Sequence, residues 1–226
     1  MKAIKKLIIS LVVIVAILGV AVIGGYIYVR TTYGIDLFRT AGQLKTLTQE
    51  VDETTLCPNA YGDKDFATMK TEVNKRLDGL ISYEESKGYN GYSVNFAVLA
   101  GKSMDDMISL TEKQVGAIAQ TVFYEQTSGK IKLGEKEVSV TVVQVDFSEF
   151  ADNGSADFNV VAKLDLTPFK ADMGEFPYKY FKKYIPDNLY VSSTVRVDKA
   201  EAEGFDYTVT HKSLTLNNLS ADDTAD

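Results

Sequence analysis

The sequence predicts an α+β protein: an N-terminal transmembrane helix, then helices packed on a largely antiparallel, twisted sheet. Three observations point there. Leu7–Val29 is apolar and carries no charge. Between Leu37 and Phe123 apolar residues recur at three- and four-residue steps, the period of a buried helical stripe. From Val138 onward they alternate instead, and helices followed by strands is the α+β order.

At about 1.5 Å per residue, a helix over Leu7–Val29 crosses the ~30 Å hydrocarbon core. A cleaved secretory signal is the competing reading, with Gly19-Val20-Ala21 as a small-x-small site. The apolar stretch runs on to Val29, however, and Tyr26, Tyr28 and Tyr33 fall where an aromatic belt meets the interface. An uncleaved anchor is therefore expected. Lys2, Lys5 and Lys6 precede it, which places the N-terminus in the cytoplasm and the remainder outside the cell membrane. Ala21 and Gly25 form a small-x-x-x-small pair through which two such helices could approach.

Those three lysines and Arg30 are the only charges before Thr31, so the chain beyond Arg30 carries −11 and the whole −7. Such an acidic ectodomain is a poor partner for nucleic acid or an anionic lipid surface. The expected organisation is a cytoplasmic N-terminus at 1–6, the membrane helix at 7–29, a helical stalk or linker at 30–63, one α+β ectodomain at 64–219, and a disordered acidic tail at 220–226.

Within the stalk, Leu37, Phe38, Ala41, Leu44, Leu47 and Val51 form one helical stripe. Phe66, Met69, Val73, Leu77, Leu80 and Ile81 form another, predicting a helix over 64–86 with Gly88 as its stop. Tyr92, Val94, Phe96 and Val98 alternate as a strand does. Leu110-Thr111-Glu112-Lys113-Gln114-Val115 is a capping box flanked by a hydrophobic staple, so a helix begins at Glu112 and runs to about Tyr124. Its expected buried stripe is Val115, Ile118, Ala119, Val122 and Phe123.

Val138, Val140 and Val142 alternate in one phase and Val143, Val145 and Phe147 in the other, which predicts a β-bulge near Val142. Asn153-Gly154 is a type I′ turn leading to a strand at Phe158, Val160, Ala162, Leu164 and Leu166, ended by Pro168. A last hairpin sets Leu189, Val191, Val195 and Val197 against Phe205, Tyr207 and Val209. Leu214 and Leu216 follow after another change of phase. A sheet with helices on one face leaves the other to solvent, a partner or a ligand.

The residues supply little chemistry. His211 is the only histidine, which removes His-cluster metal sites, and its parity with Tyr207 and Val209 points it at the apolar face as a structural residue. No Gly-x-Ser-x-Gly elbow, P-loop, HExxH or cofactor motif occurs. Asp152–Asp157 resembles a calcium loop but lacks the glutamate and alternating oxygens, and turn chemistry explains it. Asn153-Gly154-Ser155 and Asn218-Leu219-Ser220 match the glycosylation sequon. The single cysteine, Cys57, is a bystander thiol or an intermolecular disulfide. Catalytic, cofactor and metal residues are all expected to be none.

Aromatics are the remaining clue. Tyr178, Tyr180, Phe181 and Tyr184 crowd one segment with Lys179, Lys182 and Lys183. Either they form a lid over the core with snorkelling lysines, or a surface for an apolar ligand, the membrane or a partner.

The anchor, the Leu-Thr-Glu helix start at Leu110–Val115 and the Pro-x-x-Leu-Tyr-Val strand at Pro186–Val191 together resemble the YpmS-like membrane-anchored proteins of Gram-positive bacteria. The likeness covers about residues 92–219. It implies an elongated, curved sheet related to tubular lipid-binding folds and no catalytic residue. The expected function is thus a noncatalytic, membrane-anchored binding or accessory protein of the cell envelope, with an envelope protein or a lipid as partner. A lipid or other apolar-ligand module is the alternative. An enzyme, the third class, would need His211 to meet a carboxylate and a nucleophile in one cleft.

Overall fold

A computed structural model describes residues 47–49, 51–99, 110–133, 136–148, 155–172, 182, 185–199, 207–217 and 219–220. The expected membrane helix, most of the 37–51 stripe, the Asn153-Gly154 turn, Phe205 and residues 221–226 of the expected tail lie outside them, while Ser220, expected to begin that tail, belongs to a strand. Among the described residues no helix is long and apolar enough to cross a membrane.

The fold is α+β. Six antiparallel strands form a curled meander in sequence order: β3 (Lys130–Leu133), β4 (Lys136–Phe147), β5 (Ala156–Asp165), β6 (Asn188–Lys199), β7 (Tyr207–Leu216) and β8 (Leu219–Ser220). Before them come the short α1 (Glu53–Leu56), α2 (Asp63–Asn74), a hairpin of β1 (Ile81–Tyr83) and β2 (Tyr92–Val94), a 3-10 turn at Phe96–Leu99, and α3 (Glu112–Thr127). A further short helix, α4 (Thr167–Asp172), has Pro168 in its first turn, where a missing N–H costs nothing.

α3 starts as its capping box predicts. Thr111 Oγ1 accepts from Gln114 N at 3.3 Å, and Gln114 Oε1 accepts from Thr111 N at 2.9 Å. The helix ends at Thr127, with Ser128 in the left-handed conformation. Its burial exceeds the predicted stripe, because every residue from Gln114 to Phe123 is buried. Val115, Ala119 and Phe123 face the sheet, while Ala117, Ile118 and Val122 face α2 and the hairpin. A helix sandwiched between layers must be slim. A Cβ on Gly116 would come within 3.0 Å of the Tyr61 ring.

The predicted helix over 64–86 is corrected. α2 ends at Asn74; Leu77, Leu80 and Ile81 are buried with Phe66, Met69 and Val73, but from a turn and the start of β1. Gly79, at φ +77°, helps the chain reverse, and the Asn74 amide binds both the N–H and the C=O of Ile81. Gly88, at φ +60°, lies in the β1–β2 turn and does not stop a helix. The strand expected through Val98 stops at Val94.

Both phase changes correspond to real irregularities. The β4–β5 register slips between Val142 and Gln144, so Val142 and Val145 face the core while Val143 packs on the opposite face. The β6–β7 register slips at Lys212, between the pairs Val195–His211 and Thr194–Ser213. Val197 pairs with Val209 as the predicted hairpin requires.

The described part of the expected stalk packs onto the sheet. Leu47, 1% exposed, joins the core, and its C=O accepts from Asn217 Nδ2 at 2.7 Å. The chain then crosses the sheet's outer face. Val51, Leu56, Cys57 and Ala60 cover Val143, Val161 and Tyr190 there, and Tyr61 and Phe66 join the cluster against α3. This strap explains why Val161 is buried although its parity points away from the core.

Candidate functional site

Three places gather polar or aromatic side chains: the strap, the sheet edges, and a groove between α2 and the β1–β2 hairpin.

On the strap, Glu53 Oε2 accepts from Lys163 Nζ at 2.9 Å and from the Tyr190 hydroxyl, while the ammonium lies 5.5 Å from the centre of the Tyr190 ring. The hydrogen bonds from Tyr190 and Lys163 hold the Glu53 carboxyl below its usual range, and the bond to Glu53 raises Lys163. Cys57, 4% exposed, is pushed up to about 11 by burial, then by the charges of Glu53 and Asp146. Each group is held in its resting protonation state. A general base or nucleophile needs the opposite shift, toward neutrality. The buried, protonated thiol also disfavours the intermolecular disulfide. Further along, Asn59 Nδ2 donates to Glu112 Oε2 at 3.1 Å and to Asp146 Oδ1 at 3.0 Å, so both carboxylates serve to hold the strap. Among the described residues no group of three or more His, Cys, Asp or Glu could hold a metal ion.

The two sheet edges differ. Past its short pairing with β3, β4 is closed by side chains. Gln120 Oε1 accepts from Val142 N at 2.6 Å, the Tyr61 hydroxyl donates to Val142 O, and Glu112 Oε1 accepts from Phe147 N at 3.1 Å. At the other edge, β8 pairs only with Thr215 and Leu216, so Tyr207–Leu214 has no strand on its far side among the described residues. Thr208 to Ser213 are all exposed, including Val209 at 37%. His211 shares the face of Val195, as its parity predicts, yet it is exposed and makes no hydrogen bond among the described residues. It is a surface residue, which corrects the expected structural role.

The groove has a volume of about 370 Å3 and is lined by Ala67, Lys70, Thr71 and Asn74 of α2 with Tyr83 and Tyr92 of the hairpin. The four helical residues fall at i, i+3, i+4 and i+7, a stripe beside the apolar one at Phe66, Met69 and Val73. Tyr92 stacks on Phe66 at 5.3 Å between ring centres, and Tyr83 meets Tyr92 at 4.9 Å. Gly91, at φ +84°, lets the Tyr83 ring lie across the turn, since a Cβ there would stand 2.6 Å from its Cε2. Tyr83 is nonetheless 52% exposed. Lys70 Nζ sits 5.9 Å from its ring centre.

Sequence reasoning missed this groove, although the Lys70, Thr71, Asn74 stripe was a readable signal. The surface expected at Tyr178, Tyr180, Phe181 and Tyr184 lies outside the described residues. No protein-family model matches the chain, and no curated protein or solved structure is similar enough to count as a match.

Proposed function

We propose that this chain is a single-pass, membrane-anchored accessory protein whose ectodomain lies outside the cell membrane, where it binds an envelope protein without catalysing a reaction. The anchor and its orientation rest on the uncharged stretch Leu7–Val29 behind three lysines. The observation that carries the binding reading is the unequal treatment of the two sheet edges. An unpaired edge is a template for another strand, and proteins usually guard it with inward charges, bulges or cover. Among the described residues, β4 is guarded by three side chains, while Tyr207–Leu214 of β7 has no strand or covering side chain beside it.

Lys212, the one formally charged side chain on that edge, does not guard it. Its ammonium is drawn across the outer face to Asp157 of β5, 2.7 Å away. The bulge at Lys212 ends the regular register, so Tyr207–His211 is the segment that would accept an extended peptide by strand addition. The exposed Val209 favours an apolar residue opposite it.

The alternative is the apolar-ligand module that the YpmS-like resemblance implies. It needs the sheet's apolar face free, and α3 occupies much of that face through Val115, Ala119 and Phe123, which favours docking.

Two measurements test the proposal. In a Cys57→Ala background, Lys87→Cys should react with a membrane-impermeant maleimide on intact cells; reaction only after lysis reverses the orientation. A photo-cross-linking residue at Thr210 should form an adduct with an extended segment of one envelope protein, and Val209→Lys should abolish it. Adducts indifferent to Val209→Lys, or no adducts, refute strand addition at β7.

A further inference from the structure

The groove between α2 and the hairpin is independent of β7 and has features of a built site. Tyr83 is the most exposed of the large hydrophobic residues among those described, yet its ring is held in place. Gly91 lies beneath one part of it and Tyr92 packs against it, so little conformational freedom is left to lose on binding. Asn74 fixes the hairpin to the helix through both Ile81 backbone groups, which sets the spacing between Tyr83 and the α2 stripe. Thr71 Oγ1 donates to Ala67 O at 3.0 Å and retains lone pairs for a ligand.

Lys70 supplies the charge. Among the described residues it has no carboxylate partner, whereas Lys75 pairs with Glu72 at 2.6 Å and Lys87 with Glu84 at 2.7 Å. Its only described interaction is the one with the Tyr83 ring.

These features select a ligand class. An exposed aromatic face carries negative quadrupole density, which attracts either a cation or polarised C–H bonds. A cationic ligand would meet the Lys70 ammonium, so the cation option is disfavoured. A pyranose ring has an apolar C–H face to lay on Tyr83 and equatorial hydroxyls at its rim for Lys70 and Thr71. The shallow groove suits a sugar that stays partly in water. We propose that it binds a saccharide, with Tyr83 as the stacking platform and Lys70 favouring sugars that carry a carboxylate.

The test uses the full chain in lipid nanodiscs, titrated calorimetrically with two probes: a neutral N-acetylglucosamine hexamer and an acidic hexasaccharide alternating N-acetylglucosamine with glucuronate. Both should bind, the acidic one more tightly. Tyr83→Ala should weaken both by about tenfold, the scale of a lost aromatic contact, while Tyr83→Phe retains most of the affinity. Lys70→Met should remove the preference for the acidic probe, weakening its binding more than that of the neutral one. Circular dichroism matching the parent qualifies each variant, and Tyr83→Leu, which also removes the aromatic face, serves if Tyr83→Ala does not fold. Absence of binding by both probes at millimolar concentration overturns the proposal. So does binding that Tyr83→Ala, or in its place Tyr83→Leu, leaves unchanged. Preference for the neutral probe in the parent overturns the role of Lys70.

Discussion

Tyr61→Phe removes the hydroxyl that donates to Val142 O at the guarded β4 edge. The tyrosine ring is held by an edge-to-face contact with Phe66, 5.2 Å between centres, and by Gly116 of α3. Burial raises the hydroxyl's pKa far above that of a free phenol, so it is a neutral donor at any working pH. Phenylalanine keeps the ring and its packing but removes the donor to Val142 O. A neutral hydrogen bond contributes about 0.5–1.5 kcal/mol net, and an acceptor left buried without a partner costs about 1–3 kcal/mol. Val142 is itself buried and bound on its N–H side by Gln120, so its carbonyl has little room to find water. The expected loss is therefore about 1–3 kcal/mol. Thermal unfolding of the full chain in detergent micelles, followed by far-UV circular dichroism, measures it. Tyr83→Phe is the control and should lie within about 0.5 kcal/mol of the parent, because exposed substitutions rarely do more. If Tyr61→Phe were equally silent, water would be satisfying the Val142 carbonyl and β4 would not be a guarded edge.

Two further outcomes follow from local geometry and charge. In the α3 capping box the bond accepted by Gln114 is shorter than the one accepted by Thr111, 2.9 against 3.3 Å, and Gln114 is buried. Thr111→Ala should cost about 0.5–2 kcal/mol and Gln114→Ala more, in the same unfolding assay; the reverse order refutes this account of the cap. For pH, the hydrogen bonds from Tyr190 and Lys163 depress the Glu53 carboxyl below its ordinary value, so its stabilisation is present above the unfolded-state value and fades as pH falls through the folded-state one. Glu125 is shifted the other way, raised by burial despite accepting from Val94 N, so its charge destabilises the fold at neutral pH. Glu125→Gln should raise the melting temperature at pH 7 and lose that advantage near pH 4, whereas Glu53→Gln should lower it at pH 7 and flatten its fall in acid.

The features legible in the sequence are those whose cause lies within a few residues. Thr111 and Gln114 are one helical turn apart, so their mutual capping follows from local geometry. The bulges near Val142 and at Lys212 show as slips of parity, because strand side chains alternate strictly and an inserted residue must invert the pattern. Periodicity failed where two structures share it. Leu77, Leu80 and Ile81 continue the spacing of Phe66, Met69 and Val73, but the chain has left the helix, and Asn74 with Gly79 decides that. The alternation through Phe96 and Val98 likewise outlasts β2.

Tertiary structure alone decided the rest. The α3 stripe could be read as one buried face; that the opposite face is buried too depends on α2 and the hairpin docking on it. The strap depends on Glu53 finding Lys163 and Tyr190, and Asn59 finding Glu112 and Asp146, across separations of 53 to 137 residues. Which strand edge is closed depends on Tyr61 and Gln120 reaching Val142. Such pairings leave no period in the chain, because they are selected by the packing of the folded layers and by the need to satisfy each buried polar group. The α2 stripe of Lys70, Thr71 and Asn74 could be seen beforehand as a polar helix face. Only the fold of the hairpin, with Tyr83 laid across Gly91, turns that face into a groove.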